Sequence, residues 1–279
     1  MNLTDTIESA ELRFKQILED FFISNYDDKY LTSHGINHHR RVWSYAKELL
    51  PLVACRQPAS ILPLPSKLII ACYLHDIGMS VDPGTRHGHL SRDLCIQFLI
   101  NNDLHENEYQ DVLEAIENHD RKDYIGNTGV NDLLSILSVA DDLDAFGFTG
   151  IFRYSEIYLT RGINPDKIGY LIKENAVKRF DNFLSTFGFA GEIVDKYKKR
   201  YEVLNNFFND YNNQVTVYEF GTINPLGYCG VIELFIHKIK NKIDLKDLYL
   251  YSNKYLGDSV IRWYLSELAS ELLVEHTLL

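Results

Sequence analysis

No stretch of this chain stays apolar for the roughly 20 residues that a membrane-spanning helix needs. The N-terminus is polar and acidic and has no apolar segment of the kind a secretory leader carries. Positive charge is also in deficit: Lys and Arg number 28 against 39 Asp and Glu, a formal net charge of -11. That balance argues against broad nucleic-acid binding, because phosphates reward a positive face. It leaves room for a local basic pocket that takes a small phosphate compound. Cysteine is scarce, and Cys55, Cys72, Cys95 and Cys229 show no paired spacing. Cys72 and Cys95 fall in apolar helical patterns, so core thiols are expected. Internal repeats and low-complexity tracts are absent. The expectation is a soluble, cytoplasmic protein of a reducing compartment, with no membrane partner.

What is present is an ordinary globular balance, 46% hydrophobic and 24% charged over 279 residues. This is enough for one large domain, or for a main domain with an appendage. Apolar positions recur at helical spacing over 4–24 (Ile7, Phe14, Leu18, Phe22). Asn37 is a plausible cap for a helix carrying Val42, Trp43, Ala46 and Leu49. Residues 56–66 hold three prolines and read as a loop. A continuous apolar run, 68–74, then ends at His75-Asp76. After a turn-rich loop at 80–86, helices are expected from about 87, over 106–119, and over 133–143 beyond a Gly/Asn loop at 126–131. Further helices are expected over 151–160, 166–210, 244–254 and 258–276. Residues 214–220 alternate, and 231–239 are rich in β-branched residues. Two strands joined by 221–230 are therefore expected within 214–239.

The candidate functional residues lie at the ends of these helices. A His beside an Asp at the end of a buried element offers two good ligands for a divalent metal. Eight of the ten histidines fall in the first 120 residues, and Asp141, Asp142 and Asp144 follow soon after. His105, His237 and His276 read as ordinary surface or capping residues. His34 and His39 stay open, since each lies beside a better candidate.

The order His38, His75-Asp76, His87, His119, Asp141 resembles the HD superfamily of metal-dependent phosphohydrolases. Its pattern is a His, a His-Asp doublet and a distant Asp, with two further histidines in the two-metal members. His38-His39-Arg40-Arg41-Val42 looks like the family's first-helix motif. Leu74-His75-Asp76-Ile77-Gly78 is similar to its signature, and Val139-Ala140-Asp141-Asp142-Leu143 to its closing motif. The resemblance covers about residues 30–160. It implies a mainly α fold: a helical bundle over 1–160 with its core at 30–160, then a helical region at 161–279 carrying the small hairpin.

By the same resemblance, His38, His75, Asp76 and Asp141 form the basic ligand set, with His75, Asp76 and Asp141 at the catalytic core. Asp76 would bridge two ions if two are present. His87 and His119 would complete the second ion, with His89 competing for the place of His87. His87 is preferred because Ser91 follows it by four, where two-metal relatives have a small residue. Met79 stands where the HD-GYP branch has Lys, and Gly-Tyr-Pro is missing after His119. Both departures put cyclic di-GMP hydrolysis in doubt. The acidic pair of guanosine tetraphosphate hydrolases is missing too.

This ligand mixture suits one or two ions of Mn, Fe, Zn, Co, Ni or Mg. The expected substrate is a nucleotide or another small phosphate ester, attacked by metal-activated water. Arg86, Arg121, Lys122 and Arg153 are the candidate phosphate partners, with Arg41 open between that role and a surface ion pair. Asp142 and Asp144 are open between orienting ligand histidines and capping a helix end, with capping preferred. The run 153–158 could line the site mouth, although its tyrosines read as packing. A di-iron oxygenase on the same scaffold is an alternative function, and so is a non-catalytic sensing or interaction module. The region 161–279 could cover the site, form a homo-oligomer surface or dock another protein.

Overall fold

The computed structural model describes residues 2–26, 31–56, 64–121 and 133–277. Among the described residues the chain is α-helical with short 3-10 turns and has no strand. The chain divides into two compact units, and one of them contains the whole His/Asp group.

The first unit comprises Met1–Asp27, His34–Asp144 and Asp181–Gly191. Its helices are α1 (Leu3–Asn25), α2 (Ile36–Arg56), α3 (Leu64–Leu74), α4 (His87–Asn101), α5 (Gln110–Asn118) and α6 (Leu133–Asp144). The unit is organised around α3, which packs against α1, α2, α4, α5 and α6. Every residue from Leu68 to Leu74 has 0% of its surface exposed. A helix that is apolar on all sides has to be surrounded by others. Burying each of Leu68, Ile69, Ile70 and Leu74 contributes about 1.5–3 kcal/mol. Pro65 sits in the first turn, where its missing N–H leaves nothing unpaired.

The helix ends at Leu74 because the chain turns there. Asp76 adopts φ -110°, ψ 7°, and Ile77–Ser80 form a 3-10 turn. This sparsely populated bridge conformation recurs at functional sites. The start of α2 differs from expectation. The helix begins at Ile36, after a 3-10 turn at Thr32–His34, so Asn37 is already helical. Its side chain accepts from Arg40 Nη1 at 3.1 Å instead of capping the backbone. The Gly/Asn loop at 126–131 and most of the proline-rich stretch (57–63) lie outside the described residues.

The second unit comprises Asp28–Ser33, Ala145–Phe180 and Glu192–Leu279. Its helices are α7 (Gly147–Thr160), α8 (Pro165–Phe187, whose last turns belong to the first unit), α9 (Gly191–Val215), α10 (Gly227–Asn241), α11 (Leu245–Ser252) and α12 (Ser259–Thr277). Helices α7, α10 and α12 pack on one another. The single helix expected over 166–210 is two, interrupted between Gly188 and Gly191. No helix among the described residues is long and apolar enough to cross a membrane.

The hairpin expected over 214–239 is overturned: α9 runs to Val215, and 227–241 are α10. A short apolar run without alternation looks the same in a buried helix as in a buried strand. Burial separates the two. Val231, Ile232, Leu234, Phe235 and Lys238 are all buried, the i, i+1, i+3, i+4, i+7 face of a helix. Within this unit Glu156, 0% exposed, binds Lys238 Nζ at 2.5 Å and the Ser33 main-chain N–H at 2.7 Å. Tyr154 donates to Asn175 at 2.9 Å, so this part of the 153–158 run serves packing and internal bonding.

Three helices of the first unit meet at one carboxylate. Glu19 of α1 accepts from Arg40 Nε at 3.0 Å and Arg40 Nη2 at 2.5 Å on α2, and from Tyr73 Oη at 3.0 Å on α3. Burial raises the Glu19 carboxyl, but the Arg40 bonds and charge outweigh it and hold the group below its usual 4.5. A depressed folded-state value stabilises the fold above the unfolded value and loses that contribution as pH falls through the folded one. Glu19→Gln is therefore expected to cost about 1–3 kcal/mol at pH 7. Urea denaturation should show the difference from the parent shrinking steadily as pH is lowered below 4.5.

Candidate metal centre

Five helices of the first unit meet at one place. His75 and Asp76 follow the last residue of α3, His87 is the first residue of α4, and His119 follows α5. His38 and Asp141 enter from α2 and α6, two helices that pack together. All six are buried, between 0% and 3% exposed. Their ligand atoms form two groups, His38/His75/Asp76/Asp141 and Asp76/His87/His119, each with its donor atoms within 4.8 Å of one another.

Asp76 belongs to both. Its Oδ2 lies 3.6 Å from His38 Nε2 and 3.5 Å from His75 Nε2. Its Oδ1 lies 3.4 Å from His87 Nε2 and 3.0 Å from His119 Nε2. Asp141 Oδ1 closes the first group, 3.7 Å from His38 Nε2 and 3.9 Å from His75 Nε2.

Whether this cluster suits a cation follows from the other ring nitrogens. His75 Nδ1 donates to Cys72 O at 3.0 Å, His87 Nδ1 to Gly84 O at 2.6 Å, and His119 Nδ1 to Ile116 O at 2.7 Å. His38 Nδ1 donates to Asp144 Oδ2 at 2.7 Å. Carbonyls and carboxylates only accept, so in every neutral ring the proton is on Nδ1 and Nε2 presents a lone pair. The His38 and His75 Nε2 atoms face each other at 3.1 Å, and His87 Nε2 is buried with no hydrogen-bond partner. Lone pairs and carboxylate oxygens converging on a buried point repel unless a cation lies between them. Donors about 2.1 Å from one ion lie roughly 3 Å or slightly more from each other, so the residues fit a divalent metal.

The tautomers explain why the histidines sit at helix ends. The last carbonyls of a helix lack an intrahelical donor. Cys72 O and Ile116 O, in the last turns of α3 and α5, receive theirs from His75 and His119.

The charges are interdependent. Burial raises the Asp76 carboxyl, but His75 and His119 outweigh it and hold the group well below its usual range. Burial keeps His75 below its ordinary value against the pull of Asp76. For His119 burial opposes protonation, yet the protonated ring donates from Nε2 to Asp76 Oδ1 at 3.0 Å, and that bond and charge prevail and raise the ring.

Residues 35–145 match the family model described as HD domain. Over these residues the chain is similar to the HD domain. No curated protein and no solved structure matches the chain. HD domains are mostly metal-dependent phosphohydrolases, and both ligand groups lie within the matched residues.

Around the cluster the other candidates separate. His89 points outward, 67% exposed, and pairs with Glu117 at 2.8 Å. His34 is buried with its ring 5.5 Å from that of His38, outside both groups. His39 lies beneath the cluster and donates to the same Cys72 carbonyl at 3.1 Å, and burial holds it well below its ordinary value. Arg86 is exposed at the start of α4 and pairs with Asp82 at 3.1 Å. Arg121 is exposed two residues after His119, and Lys122 lies outside the described residues. Arg153 is buried on α7 in the second unit.

Three roles escaped the sequence reading. Arg41 is not a surface pair: it is 5% exposed and bonds Asp144. Asp142 binds Asn182 at 2.9 Å instead of capping its helix. Asp120, 41% exposed, brings a carboxylate oxygen to 3.8 Å from His87 Nε2, and only its adjacency to His119 could have hinted at this.

Gly78 explains why a small residue follows the doublet. Its N–H donates to Ser91 Oγ at 2.9 Å. A Cβ there would lie 2.3 Å from His87 O and 2.6 Å from Ser91 N. The first turn of α4 thus rests on the turn after Asp76, which brings His87 to the cluster. Gly78→Ala is expected to destabilise by about 1–3 kcal/mol through overpacking. Gly257→Ala, where a Cβ would meet nothing within 4 Å, should stay within about 0.5 kcal/mol of the parent. Chemical denaturation of both variants measures the contrast.

Proposed function

We propose that the protein is a metal-dependent phosphohydrolase acting on a nucleotide or another small phosphate ester. In this reading His38, His75, Asp76 and Asp141 hold one divalent ion, and Asp76, His87 and His119 hold a second. The observation that carries it is the Asp76 carboxylate, which turns one oxygen to each of two groups whose imidazole nitrogens offer lone pairs. A pair of divalent ions supplies Lewis acidity and makes water a competent nucleophile near neutral pH.

The chain's own residues do the rest. Main-chain carbonyls hold three of the four imidazoles in the ligating tautomer. Burial of the cluster strengthens its electrostatic interactions. Arg86 and Arg121, at the exposed edges of the elements that bring in His87 and His119, are the proposed phosphate partners, together with the adjacent Lys122. A guanidinium matches phosphate oxygens with paired hydrogen bonds. Asp120, beside His87 and partly exposed, is placed to orient a nucleophile or a leaving group. Imidazole and carboxylate together favour Mn, Fe, Co, Ni or Zn over Mg.

Elemental analysis of the purified protein, with a panel of nucleotides and simple phosphate esters assayed under Mn, Mg, Co and Ni, tests this reading. Metal-dependent turnover is expected, and Asp76→Ala should lose both metal and activity. A metal-loaded protein that turns over no phosphate ester would overturn it. Two irons with a mixed-valent spin signal would direct the search to oxygen chemistry.

A further inference from the structure

The four imidazoles of the cluster are not held alike. His75, His87 and His119 give their Nδ1 protons to main-chain carbonyls. His38 gives its proton to a side chain, Asp144 Oδ2, at 2.7 Å. That carboxylate is in turn clamped by Arg41, whose Nε lies 2.6 Å from Oδ1 and whose Nη2 lies 2.9 Å from Oδ2. Asp144 is 0% exposed, Arg41 5% and His38 1%.

Helical spacing produces this arrangement. His38 and Arg41 are three apart on α2, and Asp141 and Asp144 are three apart on α6. Residues at that spacing share a face, and α2 and α6 pack together. Each helix therefore brings one cluster residue and one clamp residue to the same contact.

We infer that Asp144, fixed by Arg41, is a positioning residue that sets the metal affinity of the His38/His75/Asp76/Asp141 group and leaves the Asp76/His87/His119 group unaffected. The inference rests on the two-ion reading proposed above. A carboxylate behind a ligand imidazole fixes its tautomer and ring orientation and makes the ligating nitrogen a better donor. A carbonyl does this more weakly, since bonds to a charged acceptor are roughly twice as strong. Asp144 alone would be a second buried anion beside Asp141. With Arg41 bonded to both of its oxygens it is a neutralised acceptor that still directs one oxygen at His38. An ion pair that served stability alone would not need that third contact, and buried ion pairs are weak evidence of stabilisation in any case.

The test is equilibrium competition of the full chain against a chromophoric chelator for Mn and for Co, which resolves the two binding constants. His38→Ala identifies the constant that belongs to the first group. Asp144→Asn, which keeps the shape and removes the charge, is expected to weaken that constant by about 10–100-fold and to leave the other within about twofold of the parent. Arg41→Lys keeps the positive charge and loses the fork. It should weaken the same constant by a smaller factor, and it carries the test if Asp144→Asn does not fold. Melting of the metal-free variants checks that the fold is retained. Unchanged constants in a folded variant, or both constants falling together, would overturn the inference while leaving the metal centre in place. A parent chain that binds no ion would overturn the two-ion reading itself.

Discussion

A buried carboxylate must find positive charge, and in this protein that requirement shapes the first unit. Asp76 is 3% exposed at the end of α3, whose last seven residues are fully buried. Four imidazole nitrogens face its oxygens within 3.6 Å, and every one of those rings spends its Nδ1 proton elsewhere. Desolvating an anion among lone pairs is costly without a cation to receive them. Much of the surrounding architecture serves to hold this arrangement. Helix α3 is apolar on every side, so its end is fixed in depth, and the 3-10 turn after it is pinned to α4 through Gly78 and Ser91.

The ends of helices solve two problems together. A helix C-terminus leaves carbonyls without donors, and a ligand histidine needs its second nitrogen occupied. Cys72 O and Ile116 O meet both needs, for α3 and α5. The first residue of α4 does the same with a loop carbonyl, Gly84 O. Placing the histidines at element ends thus satisfies backbone groups and sets tautomers without recruiting further side chains. His38 lies within a helix, where main-chain carbonyls are already engaged along the ladder. It takes a carboxylate instead, and that carboxylate brings Arg41 with it.

The second unit obeys simpler rules. Helices α7, α10 and α12 pack on one another, and the buried Glu156 and Lys238 pair with each other. Its β-branched run, 231–236, shows how weak strand preference is beside tertiary context. With a helical face of Val231, Ile232, Leu234 and Phe235 to bury against neighbouring helices, the segment continues as a helix to Asn241. Nothing local to those residues chose between the two outcomes.

The sequence by itself determined the mainly helical character and the depth of α3. Those features rest on local periodicity, since an apolar run has to be buried. The resemblance to HD domains supplied the candidate cluster residues and the order in which they appear along the chain. Only the tertiary structure decided which neighbour of each candidate faces inward. His87 and His89 are two residues apart on one helix, yet one is 1% exposed and the other is paired with Glu117 at the surface. Asp142 and Asp144 diverge in the same way, one to Asn182 and the other to His38 and Arg41. Neighbours this close differ mainly in direction, and direction is set by the rotation of one packed helix against another, which no local pattern encodes.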